Sequence, residues 1–289
     1  MKLGRITASS AALAMGAVLA LGAFAGPAVA AGGGKEPKDG GYSFDTPLGR
    51  YDQAQLQRGY KVYREVCASC HSMNLIAFRH LGMPSAPFYD PKVSNPNENP
   101  YVRTIAAEFQ IPDIDSETGD TIQRPGTPAD RFPNPYPNEA AARGANGGAL
   151  PPDLSVMAKA RHGGADYIYS LMSGYVDPPK GLTVPAGQYY NPYYAGDLTS
   201  YWTGDHHDVP KGGFLAMPPQ LRPGLVTFDD GTPSTISQQA KDVGAFIQWA
   251  SEPKMEERKR TGVAVLAYLT LFAGLLYASY RKIWRDVAH

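Results

Sequence analysis

The sequence predicts a mainly α fold with long loops and one C-terminal transmembrane helix. Three observations predict it. Apolar residues recur at helical spacing over three separated stretches, and the segments between them hold many of the 26 prolines and 31 glycines of this 289-residue chain. An uncharged apolar run of helix-spanning length lies near the end.

Residues 1–30 read as a cleaved secretory signal. Lys2 and Arg5 form a charged start, Ala11 to Ala25 an apolar stretch, and Ala28-Val29-Ala30 a small-residue cleavage pattern. The stretch is short and alanine-rich, which disfavours a spanning helix. Residues 31–50 are Gly-rich and charged without periodicity, the pattern of a strap or a disordered end. Asp52 to Val66 predicts a helix, with Asp52 as N-cap and Leu56, Tyr60 and Tyr63 on one face.

From Ser85 to Pro152, and again from Pro178 to Asp230, breakers predict long ordered loops, with one short helix around Tyr101 to Phe109. Leu154 to Arg161 and Asp166 to Tyr175 predict two short helices split by Gly163-Gly164. Thr235-Ile-Ser-Gln238 is a capping-box pattern, followed by an apolar stripe at Ile236, Ala240, Val243, Ile247 and Ala250. Glu252-Pro253 then marks a joint.

Thr261 to Tyr280 carries no charge, and twenty residues at about 1.5 Å each cover roughly the 30 Å of a hydrocarbon core. Basic residues flank it on both sides, and Tyr277, Tyr280 and Trp284 suit an interface. The flanks are balanced and do not orient it; the signal does. The expected organisation is a signal (1–30), a periplasmic domain (31–253), and an anchor with a short cytoplasmic tail (254–289), in a single pass through the inner membrane of a bacterium.

Formal net charge is zero, but unevenly spread. Lys2 and Arg5 sit in the leader, and residues 254–289 hold seven basic against three acidic residues, so the exported portion is left at −6. Acidic residues gather at Asp113, Asp115, Glu117 and Asp120, and at Asp229-Asp230. This sign disfavours nucleic acid and suits either plain solubility or the steering of a basic partner.

The only two cysteines fall in Cys67-Ala-Ser-Cys70-His71, the c-type haem attachment motif. Two thiols at this spacing match two porphyrin vinyl groups, and the adjacent histidine falls beneath the iron. A thioredoxin-type dithiol would not need His71 and expects a βαβ context. A zinc site would need two further converging ligands, and adjacent His206 and His207 diverge. No cysteine is left for a disulfide.

The opposite axial ligand has several candidates. Met73 and His80 sit too close behind the motif to reach round the ring. Met157 and Met172 lie on helical apolar faces and read as packing. His162 and the His206-His207 pair could supply imidazole. Met217 is the strongest, in an apolar loop stiffened by Pro218 and Pro219. A methionine opposite histidine favours ferrous iron and leaves no open position.

Several segments together resemble the cytochrome c1 family, bacterial-type haem subunits of the cytochrome bc1 complex (ubiquinol–cytochrome c reductase). They are Tyr63 to Met73, Arg79-His80-Leu81, Phe132 to Asn138, Ala142 to Ser155, Arg161 to Tyr167, Asp229 to Pro233, and Lys241 to Pro253. The resemblance implies a cytochrome-c-like haem domain with one haem c, held through Cys67 and Cys70, with His71 and Met217 as axial ligands. It also implies that Asn146, Pro151, Arg161 and Tyr167 line the haem, Arg161 as partner of a propionate. The implied function is a one-electron relay from the Rieske iron–sulfur protein to a soluble or tethered cytochrome c. The implied partners are cytochrome b, the Rieske subunit and membrane lipid; quinol oxidation falls to other subunits, so the chain is no enzyme on its own.

Two departures stand out. Met217 meets Pro218 directly where the family commonly has an alanine between, and the loop from Asp197 to Gly213 is longer than usual. A membrane-anchored monohaem subunit of another respiratory enzyme, such as a terminal oxidase, fits the motif and anchor but not Phe132 to Tyr167. An open-iron peroxidase or gas sensor is the third reading, which carbon monoxide binding would favour.

Overall fold

The computed structural model describes residues 33–287; the expected signal at 1–30 lies outside them. The chain runs α1 (Gln53–Val62), α2 (Pro100–Ala107), β1 (Gln110–Ile114), β2 (Thr121–Pro125), α3 (Glu139–Ala145), α4 (Gly164–Met172), β3 (Tyr189–Asn191), β4 (Gly213–Leu215), α5 (Ile236–Ser251) and α6 (Met255–Trp284). The fold is mainly α with long loops, as the sequence predicts.

α1 opens on the Asp52 carboxylate, which accepts from the Ala54 and Gln55 backbone N–H groups that a first turn leaves free. Its buried face packs across α5, where Thr235 accepts from the Gln238 N–H and Ala240, Val243, Ile247 and Ala250 are buried. The crossing requires glycine at 59. A Cβ there would overlap the Asp242 carbonyl oxygen and stand 2.8 Å from Phe246 Cβ. Asp242 is fully buried, yet its carboxylate is met by Gln55, Arg58 and Gln238, so a buried charge is tolerated. Tyr60, Tyr63, Phe132, Phe246 and Trp249 stack through this main core.

Three regions differ from the sequence reading. The helix expected over 52–66 ends at Val62, and Tyr63–Cys67 continues as a π-helical turn, with the Ala68 N–H reaching back to Tyr63 O at 2.8 Å. Leu154 to Arg161 is a series of turns rather than a helix. One donor is diverted: the Ala158 N–H, which an α-helix would bond to Leu154 O, goes to Ser251 Oγ. The expected loops contain two short antiparallel ladders, the β1–β2 hairpin and the β3–β4 pair, and α3.

The Gly-rich start is a strap. Gly33 O accepts from Gly212 N–H at 2.6 Å, Lys38 N–H donates to Ser170 Oγ at 2.7 Å, and Gly40 N–H to Asp166 Oδ1 at 2.8 Å. It ends at the Glu252–Pro253 joint, where Tyr51 N–H donates to Glu256 Oε1 at 2.9 Å. Beyond the joint, α6 runs thirty residues, about 45 Å, with every side chain from 260 onward exposed. It is long and apolar enough to cross a membrane.

Candidate haem site

The attachment turn hangs on the end of α1. Cys70 and His71 N–H groups both return to Cys67 O, at 3.1 and 2.9 Å, which closes the turn and sets the two thiols on it. Both cysteines are free and half-buried. Burial, with Cys70 adjacent, pushes the Cys67 thiol up to about 12. A reactive dithiol centre needs the opposite shift, so this environment speaks against thioredoxin-type chemistry.

The His71 ring is oriented by Pro152, whose carbonyl lies 2.8 Å from Nδ1. A carbonyl only accepts, so Nδ1 carries the proton and Nε2 keeps its lone pair. Burial disfavours the imidazolium, with the Pro152 carbonyl and Asp153 acting against it. A neutral ring is what a metal ligand requires.

Asn146 Nδ2 donates to Ala142 O at 2.7 Å and to the Tyr136 hydroxyl at 3.1 Å, and that hydroxyl donates to Cys70 Sγ at 3.7 Å. Asn146 therefore reaches the attachment turn through Tyr136, a residue that sequence reasoning did not single out. Its segment, Phe132 to Asn138, carries part of the family resemblance, but nothing in a Pro-rich loop announces a hydroxyl aimed at sulfur. Pro151 is half-buried, next to the carbonyl that holds His71.

A second group forms around α4. Burial raises the Tyr167 phenol, with the Arg161 guanidinium beside it acting in the opposite direction. Arg161 itself is exposed and donates to Ala160 O at 3.0 Å. Tyr175, just beyond α4, donates its hydroxyl to Met217 O at 2.8 Å. The Met217 loop leaves the β3–β4 ladder, in which Tyr189 pairs with Leu215, Tyr190 with Phe214 and Asn191 with Gly213. Fully buried Asn191 ties that ladder to α4 through Leu171 O at 2.8 Å. Gly212, at φ +129°, allows the close approach; a Cβ would meet Asn191 O at 2.7 Å.

The long 197–213 segment is folded rather than slack. Leu198 packs with Leu182 and Tyr190 in a small satellite core, covered by Trp202, Val209 and Phe214. His206 and His207 lie on an exposed turn, capped by Asp205 accepting from the His207 N–H. His162 is exposed, and His80 spends Nδ1 accepting from the Ala77 N–H. Met73 is fully buried in the main core, against which half-buried Met157 and Met172 pack. Met217 is half-buried on its braced loop.

This donor set fits a covalent haem. Two unpaired thiols three residues apart, a neutral histidine with its outer nitrogen already engaged, and a held thioether loop are the groups such a cofactor takes.

The Cytochrome C1 family model matches residues 42–287. Cytochrome c1 of Rhodospirillum rubrum is 40% identical over 288 residues, covering 92% of this chain and 96% of that protein. The mitochondrial cytochrome c1 heme protein of Saccharomyces cerevisiae is 46% identical over 230 residues, 79% of this chain and 66% of that one. Cytochrome b/c1 of Bradyrhizobium diazoefficiens is 41% identical over 273 residues; the match takes 88% of this chain but spans only 36% of that longer protein. With the family's model running through the attachment turn, the α4 group, the Met217 loop and the apolar helix alike, the chain belongs to the cytochrome c1 family.

Proposed function

We propose that this chain is a membrane-anchored one-electron carrier with a single haem c, working within a ubiquinol–cytochrome c reductase. Cys67 and Cys70 would hold the cofactor through thioethers, and His71 Nε2 and the Met217 sulfur would be its iron ligands. Asn146, Pro151, Arg161 and Tyr167 line it, with Arg161 placed to pair with a propionate. When bound, the haem supplies a one-electron couple, raised by methionine ligation.

The protein's own work is positional. The Pro152 carbonyl orients His71, and Tyr175 and the β3–β4 ladder hold Met217; with both residues as ligands, small molecules would be kept from the metal. No acid–base group is needed. The electron donor is the Rieske iron–sulfur protein and the acceptor a soluble or tethered cytochrome c, with quinol chemistry on cytochrome b. Membership of the cytochrome c1 family supports this reading, as does the Bradyrhizobium relative's name, cytochrome b/c1. The signal at 1–30 would export residues 31–253 to the periplasm, with α6 as a single-pass anchor in the inner membrane.

The observation that carries the reading is His71: its Nδ1–H is already engaged beside two free thiols. The test is expression with a c-type maturation system, then a pyridine haemochrome on denatured protein. Haem should stay with the wild-type polypeptide and be lost from a Cys67→Ala/Cys70→Ala variant. From native membranes the chain should copurify with cytochrome b and an iron–sulfur protein; purification with a terminal oxidase instead would contradict the assignment.

A further inference from the structure

Residues 72–75 and 151–155 run side by side next to His71, and one carboxylate knits them together. Asp153 Oδ2 accepts from Ser72 Oγ and from the Asn74 N–H, both at 2.8 Å, while Oδ1 accepts from the Ser155 N–H at 2.8 Å. Fully buried Ser155 returns the tie by accepting from the Leu75 N–H at 3.0 Å. Leu154 N–H adds a bond to Ser72 O at 2.9 Å.

This arrangement answers a physical need. Pro151 and Pro152 have no backbone N–H, so the segment that presents the Pro152 carbonyl has no donors of its own to anchor it. Its placement comes from the next residues: Asp153 accepts two hydrogen bonds from segment 72–75 and a third, from Ser155, that holds its own turn.

We propose that Asp153 is the positioning residue for the proximal ligand: its carboxylate holds the Pro152 carbonyl on His71 Nδ1–H and thereby fixes the ring's rotation and its strength as a donor. The inference rests on His71 being an axial ligand, as proposed above. A firm Nδ1–H···O=C bond makes Nε2 the better electron donor. Loosening it weakens that donation and favours ferrous iron, so the midpoint potential rises. Loss of the nearby negative charge acts in the same direction, so a charge-conserving variant is needed to separate the two.

The experiment uses full-length, haem-loaded protein in membranes, comparing wild type with Asp153→Asn and Ser72→Ala. Haem content is matched first by pyridine haemochrome, and each variant is then followed by redox titration and by the low-spin ferric EPR signal. Asp153→Asn is expected to raise the midpoint potential and shift the EPR signal. Ser72→Ala, which keeps the charge, is expected to shift both the same way by less. Unchanged potential and EPR signal in Ser72→Ala, with Asp153→Asn either unchanged or shifted in potential alone, overturn the proposal. If Asp153→Asn fails to accumulate haem, Ser72→Ala decides by the same criterion. A wild type without covalent haem or without imidazole ligation overturns the reading of His71 itself.

Discussion

The attachment turn grows directly out of the main core, whereas the Met217 loop stands on a satellite of three buried residues, Leu182, Tyr190 and Leu198, and a ladder of three pairs. On the first side, α1 and α5 cross over Gly59 and a continuous set of aromatic rings backs Tyr63, four residues before Cys67. On the second, individual hydrogen bonds from Asn191, Tyr175 and Tyr190 do most of the holding. The difference teaches where the site can open. Segments with few buried apolar contacts unfold locally at lower free energy than the core. On the proposed reading, the covalent attachment and the stronger ligand would sit on the rigid half, and the weaker thioether on the half that opens first.

The largest expected effect breaks both halves at once. Gly59→Ala forces a Cβ into the α1–α5 crossing, where backbone rather than a flexible side chain blocks it. It should destabilise the domain by about 3 kcal/mol or more, read as a lower thermal midpoint and reduced haem content. Survival of the β3–β4 half after the α1–α5 core has unfolded would contradict the view that the satellite depends on the main core.

Asn191→Ala should separate the halves. It leaves Leu171 O without its partner and should cost about 2 kcal/mol, felt locally. Hydrogen exchange should accelerate over residues 182–215 while 53–71 stays protected; equal acceleration in both would erase the distinction. Tyr175→Phe is milder, about 1 kcal/mol, because it removes a single hydroxyl from Met217 O. Thioether ligation should then melt at lower temperature than in wild type, followed through the weak near-infrared band of methionine-ligated ferric haem.

The smallest effect lies outside both halves. Arg124, donating to Asp130 and Asp113, holds the Asp130 carboxyl well below its ordinary range, helped by the Thr127 N–H and opposed by desolvation. A depressed folded-state value means the stabilisation is present above the unfolded value of about 4 and is lost as pH falls below it. The β1–β2 hairpin should therefore lose exchange protection in acid, and Asp130→Asn should reduce that pH dependence, leaving the share carried by Asp113, which Arg124 also lowers, while exchange over 53–71 and 182–215 stays unchanged.

Legibility from sequence follows the same divide. α1, α5 and α6 could be read because their caps and apolar periods are local, and Cys67, Cys70 and His71 because the motif is contiguous. The strap is one of the two options that the Gly-rich start allows. What stayed hidden depends on distant partners: Asp153 meets Ser72 across 81 positions, and Tyr136 meets Cys70 across 66. The same cause acts on the helix expected over Leu154 to Arg161, where the Ala158 N–H is claimed by Ser251, 93 positions away. The β1–β2 turn has a local signal: Asp115 accepts from the Glu117 and Thr118 N–H groups, and Gly119 supplies φ +77°, an ordinary turn pattern within a stretch read as loop and for its charge.

The central claim is a metal closed on both faces, and carbon monoxide tests it most directly. Reduced, haem-loaded wild type at neutral pH should leave its absorption spectrum unchanged on exposure to the gas, while Met217→Leu should take it up. Ready uptake by the wild type, or an unchanged near-infrared band in Met217→Leu, would contradict the account.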